Sequence, residues 1–207
     1  MVGRLQQDEA LIVDLDGTLL SVNSFSRFVV WLWKKFVADG HLHAAGCVAI
    51  EVFRRKLRLC THAEAKKRIM EVARHYLSER DFANFGHGLC RYMRPEVKAF
   101  IDERKQARTV LATAAPEDYA KAVAAECGFD FLLASRAETE ECKGEEKLRR
   151  VKILCENNGL HIRAVMTDHH DDLPLLKLPG VENVLVDPSV ETIKILNNQS
   201  IKYIILK

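Results

Sequence analysis

Long apolar runs, paired cysteines and an excess of charge of either sign are scarce in this sequence. The most apolar helical stretch, residues 25–37, is interrupted by Arg27, Lys34 and Lys35, so it falls far short of the ~20 apolar residues that a membrane span requires. Residues 1–9 are polar and lack the apolar run of a secretory signal. We therefore expect a soluble, cytoplasmic protein.

The six cysteines are widely spaced and form no C-x-x-C pair, a pattern typical of reduced thiols in a cytosolic protein. The 31 basic and 29 acidic residues are spread along the chain and leave a formal net charge of +2. This balance predicts neither a nucleic-acid partner nor a membrane partner. At 207 residues the chain can bury a core without disulfides or a structural metal.

Short apolar segments that end at polar loops recur along the chain. They occupy residues 10–13, 110–113, 131–133, 164–167, 184–186 and 203–206. Helical patterns of about 10 to 15 residues lie between the later segments. Strands that alternate with helices of this length predict an α/β fold with a parallel sheet.

Residues 20–107 break this alternation, because no strand pattern appears there. Phe25 and Phe28 fall on one helical face, and Thr61 with Glu64 forms a capping box that opens another helix. A helical block of this length is too long for a simple crossover between two strands. It is therefore predicted to be a separate cap.

The resulting domain prediction is a core made of residues 1–20 and 108–207, with a helical cap at residues 21–107 inserted after the first strand. Trp31 and Trp33 lie in an apolar helix of this block, and we expect both in the core of the cap.

Polar side chains stand where the predicted strands end. They are Asp14, Asp16 and Thr18 after the first strand, Thr113 at the end of the second, Lys143 or Lys147 at the start of a later helix, and Asp168 and Asp172 after the strand at 164–167. Ligands of parallel α/β sheets bind beyond the carboxyl ends of the strands. We therefore expect these side chains to meet at one edge of the sheet.

Together these residue types suit phosphoryl transfer. Several carboxylates in one place favour a hard divalent cation, and Mg²⁺ prefers such oxygen ligands. A lysine and a threonine hydroxyl would hold the non-bridging phosphate oxygens. One carboxylate can act as the nucleophile, while a second can protonate the leaving oxygen and later activate water.

The sequence also resembles a known family. The motifs concerned are Asp14-Leu15-Asp16-Gly17-Thr18, the strand end at Thr113, the lysine region at 143–147, and the pair Asp168 and Asp172. In this order they resemble the four motifs of the haloacid dehalogenase (HAD) superfamily, and the resemblance spans nearly the whole chain. The Leu-Pro-Leu-Leu sequence after Asp172 is similar to the phosphoserine-phosphatase-like branch, subfamily IB.

The resemblance implies a Rossmann-like three-layer α/β/α core, a C1-type helical cap, a Mg²⁺ cofactor and a small phosphorylated metabolite as substrate. It also implies roles for the first motif. Asp14 would be the nucleophile and a metal ligand. Asp16 would be the general acid and base, and its backbone carbonyl would bind the metal. Gly17 and Thr18 would support the geometry of the loop.

The later motifs would complete the site. By the same resemblance Thr113 would bind phosphate, Asp168 would hold Mg²⁺, and Asp172 would support the metal directly or through water. The phosphate-binding lysine is either Lys143 or Lys147. The apolar pattern of the following helix favours Lys147.

Four further residues bear on specificity. Asn23 stands nine residues after Asp14, where phosphoserine phosphatases carry a glutamate that recognises the ammonium group of the substrate. Because Asn has no charge, a broader phosphatase is predicted. Arg55 belongs to a basic cluster that could reach a second anionic group of a substrate. His169 and His170 are either loop residues or contacts to metal or substrate.

The predicted function is hydrolysis of a small phosphomonoester through an aspartyl-phosphate on Asp14. A phosphotransferase that uses the same intermediate is one alternative. A second alternative comes from a different class of protein: a catalytically weak phosphate-binding module or a receiver-like signalling module. The long insertion disfavours a receiver. The sequence predicts no oligomeric state.

Overall fold

The computed structural model describes residues 8–104, 106–137 and 139–206. Residues 1–7, on which most of the prediction about a secretory signal rests, lie outside the described part, as does the start of the predicted core segment 1–20.

Six strands form one sheet in the described part of the chain. They are β1 (Glu9–Val13), β2 (Arg108–Pro116), β3 (Phe131–Ser135), β4 (His161–Thr167), β5 (Glu182–Val186) and β6 (Ile204–Leu206). All neighbours are parallel, and the order across the sheet is β3-β2-β1-β4-β5-β6. The prediction of an α/β fold with a parallel sheet is confirmed.

Helices connect the strands within the same residues. They are α1 (Ser24–Ala38), α2 (Leu42–Lys56), α3 (His62–Tyr76), α4 (Glu79–Leu89), α5 (Pro95–Asp102), α6 (Glu117–Glu126), α7 (Gly144–Asn158), α8 (Leu173–Leu176) and α9 (Val190–Asn198). The predicted capping box of Thr61 and Glu64 opens α3. Among the described residues, no helix has the length and apolarity that crossing a bilayer would demand.

Alternate residues of the central strands face opposite sides of the sheet, as strand geometry requires. Leu11 and Val13 pack into a core shared with α6 and the helices that precede β2. Ala10 and Ile12 pack against α7, α8 and α9. Helices therefore cover both faces and give the predicted three-layer arrangement.

Helices α1 to α5 lie between β1 and β2, where the sequence predicts the cap. An aromatic cluster joins them to the core, because the ring of Phe28 lies 5.3 Å from that of Tyr119 in α6 and 5.8 Å from that of Phe82 in α4. A Cβ at Gly86 would lie 2.5 Å from the carbonyl oxygen of Tyr119, so α4 approaches α6 closely only because this residue is glycine. The division at 20/21 and 107/108 stays a prediction.

The two tryptophans of α1 have different surroundings. Trp31 packs against Phe28 and Phe85, with ring centroids 5.7 and 5.1 Å apart. Trp33 is 45% exposed. Residues two positions apart on an α-helix point about 200° apart, so one core cannot receive both. The expectation of a buried Trp33 is therefore wrong.

Candidate active site

The loops after β1 and β4 bring three carboxylates to one cavity. The backbone N–H of Asp14 donates to the carbonyl oxygen of Met166 in β4 at 3.0 Å, which anchors the loop between the central strands. Gly17 has a φ of 78°, a conformation that favours glycine, and a Cβ there would collide with the Asp168 carboxylate. The tight turn therefore lets Asp14, Asp16 and Asp168 line the same cavity.

Two hydrogen-bond donors orient this loop. The backbone N–H of Ser24, at the start of α1, donates to Asp16 Oδ1 at 2.8 Å, and the N-terminus of a helix favours negative charge. The buried hydroxyl of Thr18 lies 3.4 Å from Asp168 Oδ1 and can donate to it. Gly17 and Thr18 thus occupy the loop-supporting positions that the sequence predicts.

Lys147 of α7 is buried and lies between two carboxylates. Its Nζ donates to Asp14 Oδ1 at 2.8 Å and lies 2.7 Å from Asp172 Oδ1. Burial lowers the pKa of this ammonium group, but the charges of the two carboxylates outweigh that effect and raise the pKa above its usual range. Lys147 is therefore held as a cation against the predicted nucleophile.

Both oxygens of Asp172 are engaged by other side chains. The hydroxyl of Thr167 donates to Oδ2 at 2.8 Å, while Oδ1 faces Lys147. In this arrangement Asp172 positions the lysine. The role of Thr167 is not predicted from the sequence, although a hydroxyl residue directly before an aspartate of the predicted metal site is a signal that could indicate it.

Lys143 lies at the rim of the cavity and makes a different contact. Its side chain is 49% exposed, and its Nζ lies 2.8 Å from Asp171 Oδ2. It precedes the first residue of α7, so it does not share the buried face of that helix with Lys147.

Thr113 lies near the end of β2 and is 1% exposed. Its Oγ1 accepts a hydrogen bond from the backbone N–H of Ala115 at 3.0 Å. That bond leaves the hydroxyl hydrogen able to donate, and Thr113 lines the same cavity as Asp14.

Residues of α1 and α3 form the opposite wall of the cavity. Phe25, His62 and Lys66 line it, and the buried Nζ of Lys66 donates to the carbonyl oxygen of Ala114 at 2.5 Å and pairs with Glu141. The sequence does not predict Lys66 or Glu141, because a lysine in an amphipathic helix usually faces solvent and Glu141 belongs to no motif.

The two residues proposed for substrate contact have different positions. Asn23 lines the cavity, but its Oδ1 accepts a hydrogen bond from the backbone N–H of Ser26 at 2.8 Å and caps α1. Arg55 is not among the described residues that line the cavity.

The cavity has a volume of about 270 Å³ and suits a divalent cation. Burial is the main cause that raises the pKa of the carboxyl groups of Asp14, Asp16 and Asp168, because desolvation penalises their charge. A cation would offset this penalty. Since the donors are all oxygen atoms, a hard ion such as Mg²⁺ fits them best.

A second group of potential ligands is formed by His169, His170 and Asp171, whose ligand atoms lie within 4.8 Å of one another. His169 and Asp171 also line the cavity. The centroids of the two imidazole rings lie 4.0 Å apart, with an interplanar angle of 32°. His169 Nδ1 already accepts a hydrogen bond from the backbone N–H of Asp171 at 3.1 Å. Lys143 also pairs with Asp171. We assign no metal to this group.

Several solved structures share the fold. One, from Bordetella pertussis Tohama I and of unknown function, has a TM-score of 0.77 at 18% identity, covering 97% of this chain and 99% of that one. A phosphoserine phosphatase in its apo form gives 0.64 at 12% identity, with 97% and 94% covered. A predicted phosphatase from Clostridium acetobutylicum gives 0.60 at 17% identity, with 96% and 94% covered.

No curated protein matches the sequence significantly. A family model described as haloacid dehalogenase-like hydrolase matches residues 11–177. This range contains the loop after β1, Thr113, Lys147 and both aspartates after β4. The chain therefore belongs to the haloacid dehalogenase-like hydrolase family.

Proposed function

We propose that this protein is a Mg²⁺-dependent phosphatase that hydrolyses a small phosphomonoester through an aspartyl-phosphate on Asp14. The observation that carries the proposal is the buried Lys147, whose Nζ lies 2.8 Å from Asp14 Oδ1 in a cavity that also holds Asp16 and Asp168. Similarity to the fold of a phosphoserine phosphatase supports the same reaction class.

The side chains divide the reaction among them. A carboxylate oxygen of Asp14 attacks phosphorus, the bond from phosphorus to the leaving oxygen breaks, and Asp16 donates a proton to that oxygen. Lys147 and Thr113 hold the phosphate oxygens. In the second half, Asp16 takes a proton from water, which attacks phosphorus and releases phosphate from Asp14.

The carboxylates of Asp14 and Asp168 and the backbone carbonyl of Asp16 would hold Mg²⁺. When bound, the ion neutralises the carboxylates and polarises the phosphate. Asp172 would act indirectly, by keeping Lys147 in place, because both of its oxygens are engaged.

The cavity wall argues against phosphoserine as the substrate. An ammonium group needs an unpaired acid, but Asn23 is uncharged and caps α1, and Glu141 is paired with Lys66. We infer a phosphomonoester without such a group. A phosphotransferase remains the second candidate, because the phosphoryl group of the same intermediate can be transferred from Asp14 to an alcohol.

The first test is the metal requirement. Release of phosphate from p-nitrophenyl phosphate should be lost in excess chelator and should return when Mg²⁺ is added beyond the chelator. The reason is that burial disfavours the three carboxylate charges without a cation. Activity that survives in chelator would contradict the proposal. An added alcohol that lowers free phosphate without lowering p-nitrophenol would instead indicate transfer.

The second test concerns Asp16. With an alkyl phosphate, Asp16→Ala should lower kcat by ~10²–10⁴-fold, the usual contribution of a general acid or base. With p-nitrophenyl phosphate the loss in the first half-reaction should be smaller, because an acidic phenol leaves without a proton. A pre-steady-state burst of p-nitrophenol measures that step. Equal losses of this step for both leaving groups would contradict the role of Asp16 as an acid.

A further inference from the structure

Helix α2 carries apolar side chains that the described part of the chain leaves uncovered. Its buried side consists of Ala44, Ala45 and Val48. On the opposite side and in the following turn, five large apolar side chains are 52–67% exposed: Leu42, Ile50, Phe53, Leu57 and Leu59. We call these five residues the α2 face. Single exposed apolar residues are ordinary, but a set of this size indicates an interaction surface.

The α2 face adjoins a local excess of positive charge. The basic residues are Arg54, Arg55, Lys56 and Arg58. Glu51 is the one acid in residues 42–59, and its carboxylate oxygens lie 3.4 Å from Arg68 and 3.7 Å from Arg54. The other three basic side chains have no acidic partner within 4 Å in the described part of the chain. Their charge is therefore available to a partner.

The turn after α2 presents this charge between apolar groups. Arg58 adopts the left-handed conformation with a φ of 58°, which favours glycine. Among the described residues, no ion pair of the Arg58 side chain stabilises this backbone conformation. Arg58 lies between the exposed Leu57 and Leu59. An alternation of cation and leucine suits a boundary between apolar and anionic surroundings.

We propose that the α2 face docks on an anionic phospholipid bilayer, with its apolar side chains at the boundary of headgroups and acyl chains and its basic side chains against lipid phosphates. The helix has 15 residues and is about 22 Å long, which is shorter than the ~30 Å hydrocarbon core of a bilayer. It would therefore lie in the plane of the interface. This proposal does not depend on the proposed phosphatase activity.

Charge complementarity favours a bilayer over a second copy of the chain. In a two-fold dimer the same face meets itself. Parallel helices would bring the two basic ends together. Antiparallel helices would place each basic end against residues 42–49, which contain no acid. Neither arrangement supplies the negative charge that lipid phosphates supply.

The basic end of α2 lies near the entrance of the active-site cavity. His62, the first residue of α3, lines that cavity and follows Lys56, the last residue of α2, by six positions. A docked α2 would therefore hold the cavity close to the membrane surface. The prediction of no membrane partner rested on the net charge of +2, which conceals this local excess.

Co-sedimentation with vesicles tests the proposal. The full chain should sediment with vesicles that contain phosphatidylglycerol, should stay in solution with phosphatidylcholine alone, and should be released by high salt because salt screens the basic side chains. Absence of binding to both vesicles, or equal binding to both, would overturn the proposal. Analytical ultracentrifugation without lipid tests the alternative that the α2 face binds a second copy of the chain. A dimer that Phe53→Ser disrupts would assign the α2 face to that second copy.

Two sets of variants locate the surface. Phe53→Ser with Leu57→Ser should abolish sedimentation, while Val190→Ser, at an 84% exposed position at the start of α9, should not affect it. Lys56→Glu and Arg58→Glu should each weaken partitioning at least roughly fivefold, while Lys152→Glu on α7 should change it little. Equal effects of Lys56→Glu and Lys152→Glu would overturn the proposal. Circular dichroism confirms that each variant is folded.

Discussion

Asp14→Asn is expected to abolish phosphate release, with a fall in kcat of at least ~10⁴-fold, the scale seen when a covalent nucleophile is removed. The amide has nearly the same shape as the carboxylate but is not a nucleophile toward phosphorus. Lys147 would keep Asp172 as a partner at 2.7 Å, so the site should retain its geometry. The measurement is turnover of p-nitrophenyl phosphate with Mg²⁺.

A matched control separates this loss from a general effect of removing an acid. Asp187 is exposed, pairs with Arg94 and has a φ of 45°, a conformation that asparagine tolerates. Asp187→Asn should therefore keep full activity. Acid-quenched wild-type enzyme should carry covalent phosphate, whereas Asp14→Asn should carry none. Phosphorylation that persists in Asp14→Asn would place the nucleophile elsewhere.

The fold and the location of the site are readable from the sequence for one physical reason. Buried parallel strands read as short apolar runs, and their carboxyl ends must lie at one edge of the sheet. Asp14, Thr113 and Asp168 each follow or end such a run, so their proximity follows from topology. No long-range contact has to be known in advance.

Contacts between the helical insertion and the core lack such a rule. Lys66 lies on α3 and meets Glu141 and the carbonyl of Ala114, which are 75 and 48 residues away along the chain. Nothing in the local pattern of α3 indicates that one lysine points inward. The docking of the insertion decides this, and that docking depends on aromatic packing around Phe28 and on the glycine at position 86.

The exposed α2 face shows a related limit of sequence patterns. Apolar periodicity indicates that a helix has two faces, but it does not indicate how many neighbours the helix receives. Phe53 is 60% exposed although its residue type predicts burial. Only the packing of α1 and α3 on the Ala44 side of α2 reveals which apolar residues are left over.

Lys143 and Lys147 differ in depth, which the sequence does not show, and from this difference we infer that Lys147 binds the phosphate. The residues are four apart, about one helical turn, so spacing alone permits either. Helix α7 begins at Gly144, so Lys143 lies outside the helix, at the exposed rim of the cavity. Lys147 lies one turn inside and is 4% exposed.

From this difference we expect Lys147→Ala to lower kcat by ~10²–10³-fold, the usual effect of losing one electrostatic contact to the transferred group, and Lys143→Ala to change it only a few-fold. Lys147→Ala also leaves Asp14 and Asp172 without their shared cation. Removing one partner of a buried ion pair costs about 3–5 kcal/mol, so the free energy of unfolding should fall as well. Turnover and urea unfolding measure the two effects separately.

Lys147→Arg distinguishes a catalytic effect from a structural one. Arginine keeps the positive charge beside Asp14 and Asp172, so it should recover much of the stability. Its larger planar group should not restore full turnover, because the cavity of about 270 Å³ must also admit the phosphate. Full activity in Lys147→Ala, or a greater loss of activity in Lys143→Ala, would reverse the assignment of the phosphate-binding lysine. Recovery of both stability and turnover in Lys147→Arg would show that only the positive charge at this position is required.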